Sequence, residues 1–201
     1  SSSSRGLGDV YKRQDFGDGP NIYSILLARR VTSSNFRIHV RENVTSTFDG
    51  GTIVIGQFTH IVVTIDSTNG KIRLYQDGSL LGAVTVSANN IPSERIRTKN
   101  YLGRSNWNDP MFNGYMKYFR IWQGTALNQS QITSLYNARE PKVSISDSIG
   151  GLTATYVNGT TSDVTNGALL DGVDNYIDLQ DFELGDVCTL EFYYKFDAAV
   201  N

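Results

Sequence analysis

The chain has 201 residues, 39% of them apolar and 11% aromatic, with a formal net charge of −2 at pH 7. That is enough apolar material for one sizeable domain or two small ones, no apolar run approaches the ~20 residues a membrane helix needs, and the Lys and Arg residues form neither a run nor a stripe that would suit nucleic acid. The small net charge hides an asymmetry: residues 15–140 carry 13 Lys+Arg against 9 Asp+Glu, a net of +4, and residues 141–201 carry 2 against 10, a net of −8.

Residues 1–14 (SSSSRGLGDVYKRQ) stand apart. Residues 8–14, GDVYKRQ, are similar to the translation of a transposase adaptor used in sequencing libraries, so residues 1–14 are read as adaptor-derived rather than native. A flexible basic arm is the competing reading. If the segment is adaptor, the native start lies upstream, and no leader sequence is to be sought here.

Residues 15–19 (DFGDG) read as a turn leading into a strand over 22–28. Residues 35–41 alternate, with Phe36, Ile38 and Val40 on one face and Asn35, Arg37, His39 and Arg41 on the other. Gly50-Gly51 marks a turn, and residues 53–55 a short strand. Residues 58–78 (FTHIVVTIDSTNGKIRLYQDG) give the clearest hairpin. Ile61, Val63 and Ile65 alternate on its first arm, Ile72 and Leu74 on its second, and Ser67-Thr68-Asn69-Gly70 tolerates the reversal between them. Asp77-Gly78 is a second turn, followed by a third strand over 79–86. Three adjacent strands with one apolar face each predict a sheet packed on one side.

A loop over 87–98 and a strand beginning at 101–103 lead to a polar loop over 104–110 (RSNWNDP). Residues 112–122 (FNGYMKYFRIW) read as a strand apolar on both faces, as expected at the centre of a sheet stack. Asn128 and Gln131 have capping-box spacing, and Ile132, Leu135 and Tyr136 follow at i, i+3 and i+4, which predicts one short helix near 128–138. Beyond Pro141 the tail supplies strands over 153–157, 168–170, 176–179 and 189–196. In the last, Leu190, Phe192, Tyr194 and Phe196 face one way and Glu191, Tyr193 and Lys195 the other. About a dozen short strands with one helix predict an all-β, antiparallel jelly-roll β-sandwich.

Several segments match a known family in order. They are residues 58–66 (FTHIVVTID), 70–78, 101–105 (YLGRS), 112–122 and 126–136 (ALNQSQITSLY). Together they resemble the laminin-G-like domains of the concanavalin A-like lectin/glucanase superfamily, with Phe58 where that family usually has Trp. Residues 168–179 (ALLDGVDNYIDL) and 189–197 (TLEFYYKFD) resemble the opening strands of the same domain. The resemblance therefore implies residues 15–140 as a laminin-G-like domain lacking its first strands, and residues 141–201 as the first strands of a following repeat. Each piece alone would expose a sheet edge and an open core. The acidic tail is accordingly expected to take the place of the missing front strands, giving a circularly permuted single sandwich. That expectation requires Leu190, Phe192 and Phe196 to be buried against residues 15–140.

The chemistry points to binding. Glucanases of this superfamily use paired carboxylates spaced E-x-D-x-x-E on one strand, a spacing this chain lacks, so no catalytic residue is assigned. Asn106, Trp107, Asn108 and Asp109 combine an apolar ring with amides and a carboxylate, a mixture suited to stacking on a sugar and bonding its hydroxyls. The competing reading is a Trp plugging one end of the sandwich. Asp15, Asp18 and Asn21 form an oxygen-rich turn of the kind calcium takes, as do Asp171, Asp174 and Asp178, with an ordinary Asp-Gly turn as the alternative. Cys188 reads as a small buried hydrophobe, and His39 and His60 as strand residues. The resemblance implies a glycan or extracellular protein ligand and an extracellular or cell-surface location. The sequons at Asn43, Asn128 and Asn158 are compatible with that. A spacer repeat without a ligand of its own is the other function class.

Overall fold

The computed structural model describes residues 10–20, 22–30, 33–139, 154–163 and 165–197. In chain order the strands are β1 (Val10–Gly17), β2 (Ile25–Arg30), β3 (Phe36–Arg41), β4 (Thr45–Gly50), β5 (Phe58–Asp66), β6 (Lys71–Gln76), β7 (Ser79–Thr85), β8 (Arg95–Arg97), β9 (Lys99–Leu102) and β10 (Asn113–Gln123). The helix α1 (Gln129–Asn137) follows, then β11 (Thr155–Val157), β12 (Thr161–Asp163), β13 (Gly167–Asp171), β14 (Tyr176–Asp178), β15 (Phe182–Leu184) and β16 (Val187–Phe196). Two seven-stranded sheets face each other, in the orders β11-β14-β9-β1-β2-β3-β4 and β12-β13-β10-β16-β5-β6-β7, and β15 pairs with β8 in a small third sheet. All strand pairs are antiparallel. Among the described residues this is the antiparallel β-sandwich that period-two burial predicts, with the one short α-helix expected from the capping box.

Local chemistry explains the best-defined pieces. Asp77 and Gly78 both have positive φ, 49° and 79°, as a two-residue turn between Gln76 and Ser79 requires. The Asn128 side chain accepts from the Gln131 N–H at 3.0 Å and the Gln131 side chain accepts from the Asn128 N–H at 2.9 Å, so the capping box is closed. The helix lies on the outer face of the second sheet, where Ile132 and Leu127 pack with Val62 and Tyr75, and Trp122 and Leu135 flank them.

The core lies between the two large sheets. One register row of the first sheet runs Ile177, Leu102, Gln14, Leu27, Ile38 and Phe48. In the second, Ile121, Leu190, Val63 and Leu74 lie side by side. Phe48 closes one side by reaching toward β7, where a Cβ on Gly82 would come within 2.5 Å of its ring. Residues 154–197 belong to both layers. β14 pairs with β9, β13 with β10, β15 with β8, and β16 lies between β10 and β5. Leu190, Phe192 and Phe196 are at most 1% exposed and join the cluster that holds Phe16, Ile25 and Phe36.

Three local expectations are corrected, and one strand was not foreseen. Asp15 to Gly17 form the end of β1, not a turn, because β1 pairs with both β2 and β9; residues 10–14 are part of the same strand. Residues 45–50 form a strand that the polar sequence TSTFDG does not advertise. Residues 53–55 are not a strand. Ile53 is buried and its N–H bonds Ser34 O, Gly56 N–H bonds Phe196 O, and Val54 and Ile55 are exposed, so the segment bridges the layers. Finally, β10 appears apolar on both faces because Lys117 bulges. Met116 and Phe119 both turn toward the core, whereas Tyr118 pairs with Tyr193 on the outer face.

Candidate ligand-binding site

The outer face of the first sheet is built by alternation. Its register row runs Asp178, Tyr101, Asp15, Leu26, His39 and Thr47, directly opposite in pleat to the core row. The connection between β9 and β10 folds back over this row. The Asn106 N–H donates to Asp15 Oδ2 at 2.9 Å, and the Asn106 amide donates to Lys99 O at 3.2 Å. Ser105 Oγ accepts from the Trp107 N–H at 3.1 Å and lies 3.2 Å from Asp109 Oδ2. The Trp107 ring stands edge-on to His39, with centroids 6.2 Å apart and planes at 72°. Leu26 lies in the register between Asp15 and His39 and is only 1% exposed although it faces outward. The loop contacts its register neighbours on either side, Asn106 meeting Asp15 and Trp107 meeting His39.

The four loop residues expected to bind a ligand therefore stay together but differ in use. The backbone and amide of Asn106 anchor the loop, Asp109 is tied to Ser105, Trp107 is half-buried against His39, and Asn108 is exposed at the tip. Beside them the Arg104 guanidinium lies 5.1 Å over the Tyr101 ring and 4.7 Å over that of Tyr176, so residue 176 of the tail helps build the rim. His39, Arg104 and Tyr176 were not foreseen. The alternation over 35–41 places His39 on the outward face, but only the folded loop brings Trp107 to it.

The oxygen-rich turn is divided. Asp15 is fully buried on the sheet face, and Asp18 Oδ1 accepts from the Thr98 N–H at 2.9 Å and lies 3.2 Å from its hydroxyl. Asn21 lies outside the described residues. Asp171 Oδ1 accepts from the N–H groups of Val173, Asp174 and Asn175. Burial works to raise the Asp171 pKa, but these backbone donors outweigh it and leave the carboxyl below its ordinary value. Among the described residues no three His, Cys, Asp or Glu side chains are grouped as a metal ion needs.

A second polar constellation lies on the outer face of the other sheet. Arg120 Nε and Nη2 donate to the two oxygens of Glu191 at 2.6 and 2.8 Å, and His60 Nε2 lies 2.8 Å from Glu191 Oε1. The Tyr136 ring of α1 lies 5.8 Å from that of His60. Burial first, then the Glu191 charge, pushes the Tyr118 phenol well above its ordinary range. An imidazole on a carboxylate suits proton transfer, but His60 and Glu191 have no solvent exposure. What the cluster does in this geometry is hold β16 between β10 and β5.

A family model described as the concanavalin A-like lectin/glucanases superfamily, of laminin-G type, matches residues 6–133. The chain belongs to this superfamily. The laminin-G-like match takes in β1 to β10 and the start of α1, and it covers the 104–110 loop. Its first residues fall inside the segment that resembles adaptor sequence. No curated protein and no solved structure matches the chain. Among the described residues no helix is long and apolar enough to cross a membrane.

Proposed function

We propose that this laminin-G-like sandwich is a non-catalytic recognition module that binds carbohydrate at the Trp107 loop, as part of a larger secreted or cell-surface protein. The observation that carries the reading is the edge-on Trp107–His39 pair at the rim of the outer sheet face, on a loop fixed by Asp15 and Ser105. A ring held in this way meets a sugar face without first losing freedom of motion, and the exposed Asn108 beside it offers both donor and acceptor. The non-catalytic reading rests on the missing E-x-D-x-x-E spacing and on the sealed His60–Glu191 pair. The extracellular reading is supported by the exposure of Asn43 and Asn158 at two of the sequons.

A spacer role is favoured by one feature, the loop's own hydrogen bonds through Ser105, which also suit a plug. A glycan array followed by titration of the best glycan separates the two. Trp107→Ala is expected to weaken binding about tenfold or more, equivalent to ~1.4 kcal/mol, with melting little changed. A blank array, or full affinity in the variant, would leave the spacer role. The same titration with calcium and with chelator tests the turn at Asp15, Asp18 and Asn21: a calcium-dependent affinity lost in Asp18→Asn would place an ion there.

A further inference from the structure

Without residues 154–197 the second large sheet is split between β10 and β5, and the first loses its end strands β11 and β14. β16 pairs along its length with β10 on one side, from Gly114↔Phe196 to Gln123↔Cys188, and with β5 on the other, from Val187↔Asp66 to Lys195↔Phe58. With β16 removed, β5 and β10 stand a strand's width apart, about 10 Å from the ~4.8 Å spacing on each side. Both edges of that slot carry unpaired backbone groups, and its floor lacks Leu190, Phe192, Tyr194 and Phe196, all of them core residues. Beyond the slot, Arg97 is fully buried and donates to Leu184 O at 2.6 Å, and Asn100 donates to Gln180 O at 2.8 Å.

The segments that meet there are remote in the chain: His60 and Glu191 are 131 positions apart. The meander β1-β2-β3-β4 and the double hairpin β5-β6-β7 are local pairings, whereas insertion of β16 carries the full loop-closure cost. A chain whose local hairpins pair before β16 inserts has an open slot and a free acidic tail at once. The slot makes the same contacts with a tail whatever chain supplies it. The net +4 of residues 15–140 and −8 of residues 141–201 draw a tail toward any body, its own or another.

We infer that the slot between β5 and β10 is an interface for a second copy of this chain, which donates its residues 154–197 and receives the same segment in return. Reciprocal exchange closes both sandwiches as a two-fold dimer with no new surface. A tail's own body has the advantage of covalent attachment, and short flexible linkers in general give effective concentrations in the millimolar range. Exchange therefore gains as the concentration of chains approaches that range.

The single cysteine supplies the test, because Cys188 on β16 lies opposite Ile65 on β5. Ile65→Cys alone is expected to form a bridge within one chain on refolding in a glutathione redox buffer. Ile65→Cys combined with Cys188→Ala cannot, and neither can the wild type. When those two chains are unfolded together and refolded at high concentration, exchange yields a disulfide-linked dimer with one chain of each kind. If the control bridges and the mixture remains monomeric up to millimolar chain, the inference fails. Should the control not bridge, the wild type decides by light scattering after refolding from micromolar to millimolar concentration. A species of twice the chain mass that survives dilution supports exchange, and monomer throughout overturns it.

Discussion

The two strands at the middle of the sandwich come from opposite ends of the chain: β1 is fourth of seven in one sheet and β16 fourth of seven in the other. They suit their places unequally. Every inward residue of β16 from Cys188 to Phe196 is buried in the core, and its one buried charge, Glu191, is met by Arg120 and His60. In β1 the inward row is broken by Gln14, fully buried between Leu102 and Leu27, with neither amide atom hydrogen-bonded. Period-two alternation calls for an apolar residue there, as at Phe16. The misfit falls on the last residue of the segment that resembles adaptor sequence. A central strand can therefore be locally wrong for its position while the row around it holds the sheet together.

The comparison breaks first at Glu191. Glu191→Ala leaves His60 and Arg120 without their shared acceptor. Because the Arg120 side chain is 38% exposed and can turn to water, the loss is that of hydrogen bonds to a charged group, about 1.5–3 kcal/mol, rather than that of a fully buried pair. Urea denaturation should show a loss of unfolding free energy of that size, with loss of cooperativity if β16 detaches. A loss below about 1 kcal/mol, the surface-pair range, would mean that the cluster is not what holds the strand. Gln14→Met works in the opposite direction. An unmet buried amide costs about 1–3 kcal/mol per group, and Met replaces it with similar volume, so the variant should melt higher. An unchanged or lower melting temperature would mean that the amide is satisfied in solution.

Much of this was readable before folding, and what was not has physical causes. The Asp77-Gly78 turn, the Asn128–Gln131 cap and the alternation of Phe36, Ile38 and Val40 are local, and each follows from residues close in sequence. The bulge at Lys117 is not local: the residues of β10 take their faces from the register set by β16, 65 to 82 positions away. β4 escaped because its partners, not its own polar residues, make it a strand. At the candidate site the mixture of Trp107 with amides and a carboxylate was legible. The contacts that fix the loop, Asn106 to Asp15 and Trp107 to His39, join strands and loop across 91 positions in the first case, and no pattern within the loop announces them.

The same ion-pair geometry recurs at the sheet edge, which isolates the effect of burial. Arg37 grips Asp49 through Nε at 2.6 Å and Nη2 at 2.7 Å, nearly the distances Arg120 makes to Glu191. Since the Arg120 side chain is no less exposed than that of Arg37, the difference lies in the carboxylate: Asp49 keeps 28% of its side-chain exposure and Glu191 none. The hydrogen bond from Arg37 holds the Asp49 carboxyl below its ordinary 3.8, its charge and that of Arg30 adding to the effect against a smaller cost of burial. A carboxyl whose pKa is lower when folded stabilises the fold at neutral pH, and that contribution fades as pH falls below 3.8 through the folded value. Asp49→Asn should thus lower stability at pH 7 by no more than about 1 kcal/mol, converge with the wild type well below pH 3.8, and lose most of its effect in molar salt. Glu191→Ala should keep more of its effect in the same salt, because ions reach Arg120 but not the carboxylate it holds. If salt erased both differences alike, burial would not be what separates the centre of the sandwich from its edge.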